Sequence, residues 1–104
     1  MATQKRNGAL NGGRSRLNYH AAYYRYDDSK WIVAAVLDFP GTVSQGRTLT
    51  SARRMIRDAL RLMAECLVER GKRLPRPNPK AKDKRAFYAE TIPLRIRART
   101  GTAR

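Results

Sequence analysis

The apolar residues Ala52, Met55, Ile56, Ala59, Leu60, Met63, Cys66 and Leu67 recur at spacings of three and four. That period places them on one face of an α-helix, and it predicts a helix over about residues 50–70. Thr50 is the expected N-cap, because its hydroxyl can accept from an orphan backbone amide. Gly71 is the expected C′ residue, preceded by Arg70 at the negative end of the helix dipole. No other stretch of the 104 residues has this period. A lone amphipathic helix has no second helix on which to bury its stripe. The chain must therefore supply a sheet, in a single two-layer α+β domain.

The remaining apolar runs are short and rich in aromatic and β-branched residues. Tyr19 to Asp27 suits a strand, and Asp27-Asp28-Ser29-Lys30 is a turn signal. Trp31 to Leu37 is a continuous apolar run, as in a strand covered on both faces or with a lightly exposed second face. Asp38-Phe39-Pro40-Gly41 turns the chain, Thr42 to Gln45 suits a short third strand, and Gly46-Arg47 closes it. After the helix, Leu74 to Pro79 carries Pro at 75, 77 and 79 and must be extended. In Ala89 to Ile96, residues Ile92, Leu94 and Ile96 face one way and Thr91, Pro93 and Arg95 the other, while Pro93 confines the strand to an edge. The expected order is β-β-β-α-β, one helix on a small antiparallel sheet. The expected organisation is a flexible basic arm at residues 1–18, a domain at 19–97 and a basic tail at 98–104. No C-terminal DNA-binding domain is expected in that short tail.

The formal net charge is +15, which invites a nucleic-acid reading. Its distribution complicates that reading. Residues 19–69 carry seven basic and six acidic side chains, whereas residues 70–104 carry twelve basic ones against Asp83 and Glu90. No apolar run approaches the ~20 residues of a membrane span, and the N-terminus lacks the apolar core of a secretory signal. The single Cys rules out an internal disulfide framework and a Cys-based zinc cluster. The expected compartment is the cytoplasm, with no cofactor and no metal site.

Phosphoryl chemistry on two metals needs convergent carboxylates. Asp27, Asp28, Asp38, Asp58, Glu65 and Glu69 read instead as turn, strand-end and helix-surface residues, so no catalytic residue is assigned. Asp58 can pair with Arg54, and Arg61 with Glu65, at i,i+4 spacing. His20 has no nucleophile or metal partner in the pattern, and Cys66 lies on the apolar stripe as a small hydrophobe. Tyr19, Tyr23, Tyr24, Tyr26 and Trp31 read as packing residues before base-stacking ones. Arg53, Arg57 and Arg61 form one stripe on the helix, with Arg54 beside it. Together with Lys80, Lys82, Lys84 and Arg85 this stripe is a candidate polyanion-binding surface. Its affinity for RNA or DNA would be non-specific.

Asp38-Phe39-Pro40-Gly41, Ser44-Gln45-Gly46, Thr48-Leu49, Ala52, Ala59-Leu60, Gly71 and Leu74-Pro75-x-Pro77 stand in an order and spacing that resemble the HicB antitoxin family. That family runs Pro-Asp-Leu-Pro-Gly-Cys, Gly-Asp-Thr-Leu-Glu-Glu-Ala and Gly-x-x-Ile-Pro-x-Pro. The resemblance implies a partial ribonuclease-H-like β-β-β-α-β domain. It also implies an antitoxin that binds a HicA-type toxin, a small mRNA endonuclease, and masks its RNA-cleaving surface. Asp38, Phe39, Pro40, Gly41 and Gly46 are then the family-motif turn, and Leu74, Pro75 and Pro77 candidate partner-binding residues. A homo-oligomer is expected, since one helix leaves sheet face and edges uncovered. The chain departs from the family pattern at Leu37, Thr42, Arg47 and Thr50-Ser51, and its helix is basic rather than acidic. Because a basic antitoxin repels a basic toxin, a nucleic-acid-binding accessory protein on the same scaffold stands as the second reading.

Overall fold

A computed structural model describes residues 17–96. Four strands and one helix follow in the expected order: β1 (Leu17–Arg25), β2 (Ile32–Val36), β3 (Val43–Gly46), α1 (Leu49–Glu69) and β4 (Tyr88–Leu94). The sheet is antiparallel throughout, with spatial order β3-β2-β1-β4. β1, β2 and β3 form a meander. The helix and a long connection then return the chain to pair β4 against β1. Leu17 and Asn18, expected in the arm, are the first residues of β1 and pair with Leu94 and Pro93. The rest of the arm and the tail lie outside the described residues.

Helix α1 buries Ala52, Ile56, Leu60 and Ala64, one every fourth residue. Leu49, Ala59, Met63 and Leu67 pack half-buried beside them. This stripe is narrower than the sequence period suggests. Met55 is 43% exposed and Cys66 is also exposed, because a helix lying on one sheet face covers only the side that touches it. The N-cap is Thr48, not Thr50. Thr48 is extended (φ −128°) and its Oγ1 accepts from the Ser51 amide at 3.0 Å, while Thr50 already lies in the first turn. Gly71 is the C′ residue as expected, at φ +72°. Its amide donates to the Val68 carbonyl and that of Lys72 to the Leu67 carbonyl, a Schellman pair that satisfies the last carbonyls.

The sheet face under the helix carries Tyr19, Ala21 and Tyr23 of β1, Ile32, Ala34 and Val36 of β2, and Ile92 and Leu94 of β4. Burial in β2 alternates, with Val33 and Ala35 half-exposed, so the continuous run of Trp31 to Leu37 belongs to a strand with a lightly covered second face. Ile96 lies beyond β4 and is exposed. Pro93 sits on the edge strand β4, which pairs on its β1 side alone, the placement a missing amide allows.

Candidate functional site

The connection after α1 is a strap that docks on the sheet. Leu74 packs against the core. The buried Tyr19 hydroxyl donates to the Pro75 carbonyl at 2.6 Å, and the Asn78 amide donates to Asp38 Oδ2 at 2.9 Å. Farther on, Tyr24 on the second sheet face donates to Asp83 Oδ2 at 2.9 Å, and the Phe87 amide to the Tyr23 carbonyl. Alternation sets this passage: Ala81 and Asp83 are half-buried, and Lys80, Lys82 and Lys84 point to solvent. The strap thus covers the β1 part of the second face, where Ala22 is fully buried, while Ala89, Thr91 and Pro93 of β4 stay exposed. Among the described residues the β2–β3 half stays open, with Val33, Ala35 and the 60%-exposed Val43 on it, next to an outer edge of β3 that no described strand pairs.

Asp38 is the junction of this arrangement. Its carboxylate accepts from the His20 amide at 2.8 Å, the His20 ring Nδ1 at 2.7 Å and the Asn78 amide. Burial pushes the Asp38 carboxyl up, but the His20 ring and the two amides outweigh burial and hold it below its ordinary 3.8. An ionised carboxylate has no proton to give, so Nδ1 of His20 carries the shared one. Beside it, Phe39 is buried edge-on against Tyr19, at 5.1 Å and 70°. Pro40 and Gly41 form the exposed tip of a turn closed by the Thr42 amide on the Phe39 carbonyl. Gly41 has φ +86°, as position i+2 of a type II turn after Pro requires. Asp38, Phe39, Pro40 and Gly41 thus sit together at the junction of sheet, turn and strap, whereas Gly46 lies at the far end of β3, paired with Ile32 and packed against the first turn of α1.

Thr42, where the family pattern has Cys, is 2% exposed, and its Oγ1 has no hydrogen-bond partner among the described residues. A small apolar group suits this position better than a hydroxyl. Thr42→Val removes the orphan donor without changing the volume and is expected to raise stability by about 1 kcal/mol in a urea titration. A loss of stability would refute this.

The arginine stripe is largely occupied within the chain. Arg53 holds Glu90 in a two-pronged pair, both bonds 3.0 Å, and Arg57 stands 3.6 Å from the same carboxylate. Tyr23 donates to Glu90 as well, at 2.6 Å. Burial raises the Glu90 carboxyl, while the Arg53 and Tyr23 hydrogen bonds bring it below its ordinary 4.5. Arg61 pairs with Asp58 and, at 3.8 Å, with Glu65, so Asp58 turns to Arg61 rather than Arg54. Of the second cluster, Lys80, Lys82 and Lys84 are exposed, and Arg85 is folded back on Asp83.

Glu90 is the participant the sequence reading missed. Its signal was present: extending the Ile92, Leu94 alternation back by two places puts Glu90 on the inward face. Tyr19 and Tyr23 are buried packing residues, whereas Tyr26 and Trp31 are exposed, with Arg47 stacked over Trp31. Among the described residues no three His, Cys, Asp or Glu side chains gather as a metal site, and no helix is long and apolar enough to cross a membrane.

This architecture matches that of known structures. The crystal structure of the Burkholderia pseudomallei antitoxin HicB superposes with a TM-score of 0.59 at 24% identity, over 80% of this chain and 65% of that one. Its N-terminal domain solved alone gives 0.55 at 22% identity, over 79% of this chain and 100% of the domain. The fold is that of the HicB N-terminal domain. Neither a protein-family model nor a curated protein matches the chain. The chain spans about two thirds (65%) of the length of the HicB antitoxin it matches. The resemblance read from Asp38 to Pro77 thus holds at the level of the fold.

Proposed function

We propose that this HicB-like protein is an antitoxin, a binding protein that docks on a HicA-type mRNA endonuclease and masks its RNA-cleaving surface. The observation that carries this reading is the match to HicB over the whole of its N-terminal domain. Two features of the chain support it. Among the described residues, the outer edge of β3 and the adjoining open face offer unpaired backbone and apolar side chains to a partner. The strap, fixed by the Tyr19–Pro75 and Asp38–Asn78 hydrogen bonds, presents Pro75, Pro77 and Pro79 on a backbone already ordered, which lowers the entropy lost on binding. The same open edge and face suit a homo-oligomer. The exposed Cys66, with no second cysteine to pair with, fits a reducing cytoplasm.

Co-expression tests the proposal. Growth arrest by the toxin encoded beside this gene is expected to be relieved by the full chain. Relief is expected to be lost with Val43→Asp, which puts a charge on the open edge. Absence of a toxic neighbour, or no relief, would refute the antitoxin reading. The second reading, non-specific binding of RNA or DNA through Lys80, Lys82 and Lys84, is favoured by their outward alternation. It requires affinity that falls steeply as salt rises.

A further inference from the structure

The opposite edge of the molecule carries a second surface, distinct from the open β3 edge. An open groove of about 770 Å³ runs between α1 and the end of β4. Its rim is formed by Arg54, Arg57, Arg61 and Arg95 with a single carboxylate, Asp58. Its floor is Met55, Leu60, Pro93 and Leu94, of which Met55 and Pro93 are open to solvent.

All eight acidic residues of the chain lie within the described segment. Five of them are held in ion pairs, with His20, Arg53, Arg57, Arg61 and Arg85. None lies within ion-pair distance of Arg54 or Arg95 among the described residues. Among the described residues these two guanidiniums thus have no carboxylate partner, and both line the groove beside exposed apolar surface.

We infer that this groove docks an acidic segment of a partner protein, in which an apolar side chain is flanked by carboxylates. Charge complementarity selects the sign of the partner, since a guanidinium fork matches a carboxylate in two parallel hydrogen bonds. The floor selects a peptide over a nucleic acid. No aromatic ring among the described residues lines the groove on which a base could stack. Met55 supplies an adaptable apolar contact for a Leu- or Met-sized anchor. The inference goes beyond the antitoxin reading. It concerns the β4 side of the sheet, and its occupant is acidic where an RNA-cleaving surface is basic.

The test uses the full chain and a fluorescein-labelled peptide, Glu-Leu-Glu-Glu-Leu-Glu-Glu-Leu, followed by anisotropy. Arg54→Glu/Arg95→Glu is expected to weaken binding at least about tenfold, and Arg54→Gln/Arg95→Gln by a smaller factor. Replacing the peptide leucines by serine is expected to cost about tenfold, and Lys80→Gln/Lys82→Gln/Lys84→Gln to leave binding unchanged. Both arginine variants are expected to melt like the parent and to relieve toxin arrest as well as it does, which separates this surface from the β3 edge. No peptide binding, equal binding of the serine peptide, or equal loss in the lysine variant would overturn the inference. So would tighter binding of a ten-nucleotide oligouridylate sensitive to Arg54 and Arg95. Concentration-dependent self-association in sedimentation, abolished by the double Glu variant, would overturn it too by assigning the groove to a second copy.

Discussion

Asp38→Ala is expected to lower the stability of the domain by about 3 kcal/mol, because it strips the partner from three donors at once, two on the half-buried His20 and one the Asn78 amide. The side chain is 4% exposed and ties β1, the β2–β3 turn and the strap to one another. A small domain has only about 5–15 kcal/mol in hand, so the urea midpoint is expected to fall by about 2 M. Asp38→Asn keeps one carbonyl oxygen in place and is expected to cost about half as much. A midpoint for Asp38→Ala within about 0.5 M of the parent would show that the junction is dispensable.

The pH profile gives the same experiment a second readout. The Asp38 and Glu90 carboxyls are held below their ordinary 3.8 and 4.5 in the folded chain. Their contribution is therefore complete above those values and is lost as pH falls through the lower, folded ones. Stability is expected to decline below about pH 5 in the parent, and less steeply in Asp38→Asn. At the alkaline end, burial and the Asp83 hydrogen bond push the Tyr24 hydroxyl from 10.0 up to about 12. That contribution is complete below pH 10 and disappears as pH rises toward 12.

Gly46→Val is expected to leave the chain largely unfolded at 25 °C. A Cβ at Gly46 would stand 2.5 Å from the Ala52 amide nitrogen, 2.7 Å from Ser51 Oγ and 2.8 Å from the Ser51 carbonyl carbon. Two of these three atoms are helix backbone, which cannot swing aside as a side-chain tip can. The first turn of α1 must lift off the end of β3, and Ala52, fully buried there, loses its seat. Gly46→Ala is expected to cost about 3 kcal/mol, seen as a drop in Tm of about 15 °C. Val43→Ala, on the exposed part of the same strand, is expected to change Tm by under about 3 °C. A folded Gly46→Val with a native circular dichroism spectrum would contradict the close approach.

The antiparallel sheet with one helix follows from period and punctuation. Helix α1 was readable because its stripe repeats for several turns. The strands were readable because Asp27–Lys30, Asp38–Gly41 and Gly46-Arg47 interrupt the apolar runs. The errors fall where a local rule meets a tertiary constraint. Thr50 and Thr48 are equal as N-cap candidates by type, and the position of the chain leaving β3 decides for Thr48. Cys66 and Met55 share the helical period with Ile56, but only a docked sheet determines how wide a stripe is covered.

The sequence by itself determined the order of the described elements, the edge position of Pro93 and the turn residues. These depend on neighbours a few residues apart, whose steric and hydrogen-bonding preferences act locally. Only the tertiary structure decided which charges meet. Glu90 lies 37 residues from Arg53, and Asn78 lies 40 from Asp38. Such pairs form only after the strap has crossed the sheet and β4 has joined β1, because attraction between exposed charges is screened within about 10 Å in salt. Among the described residues this separates the arginines that hold the fold, such as Arg53 and Arg57 on Glu90, from Arg54 and Arg95, which have no carboxylate partner there.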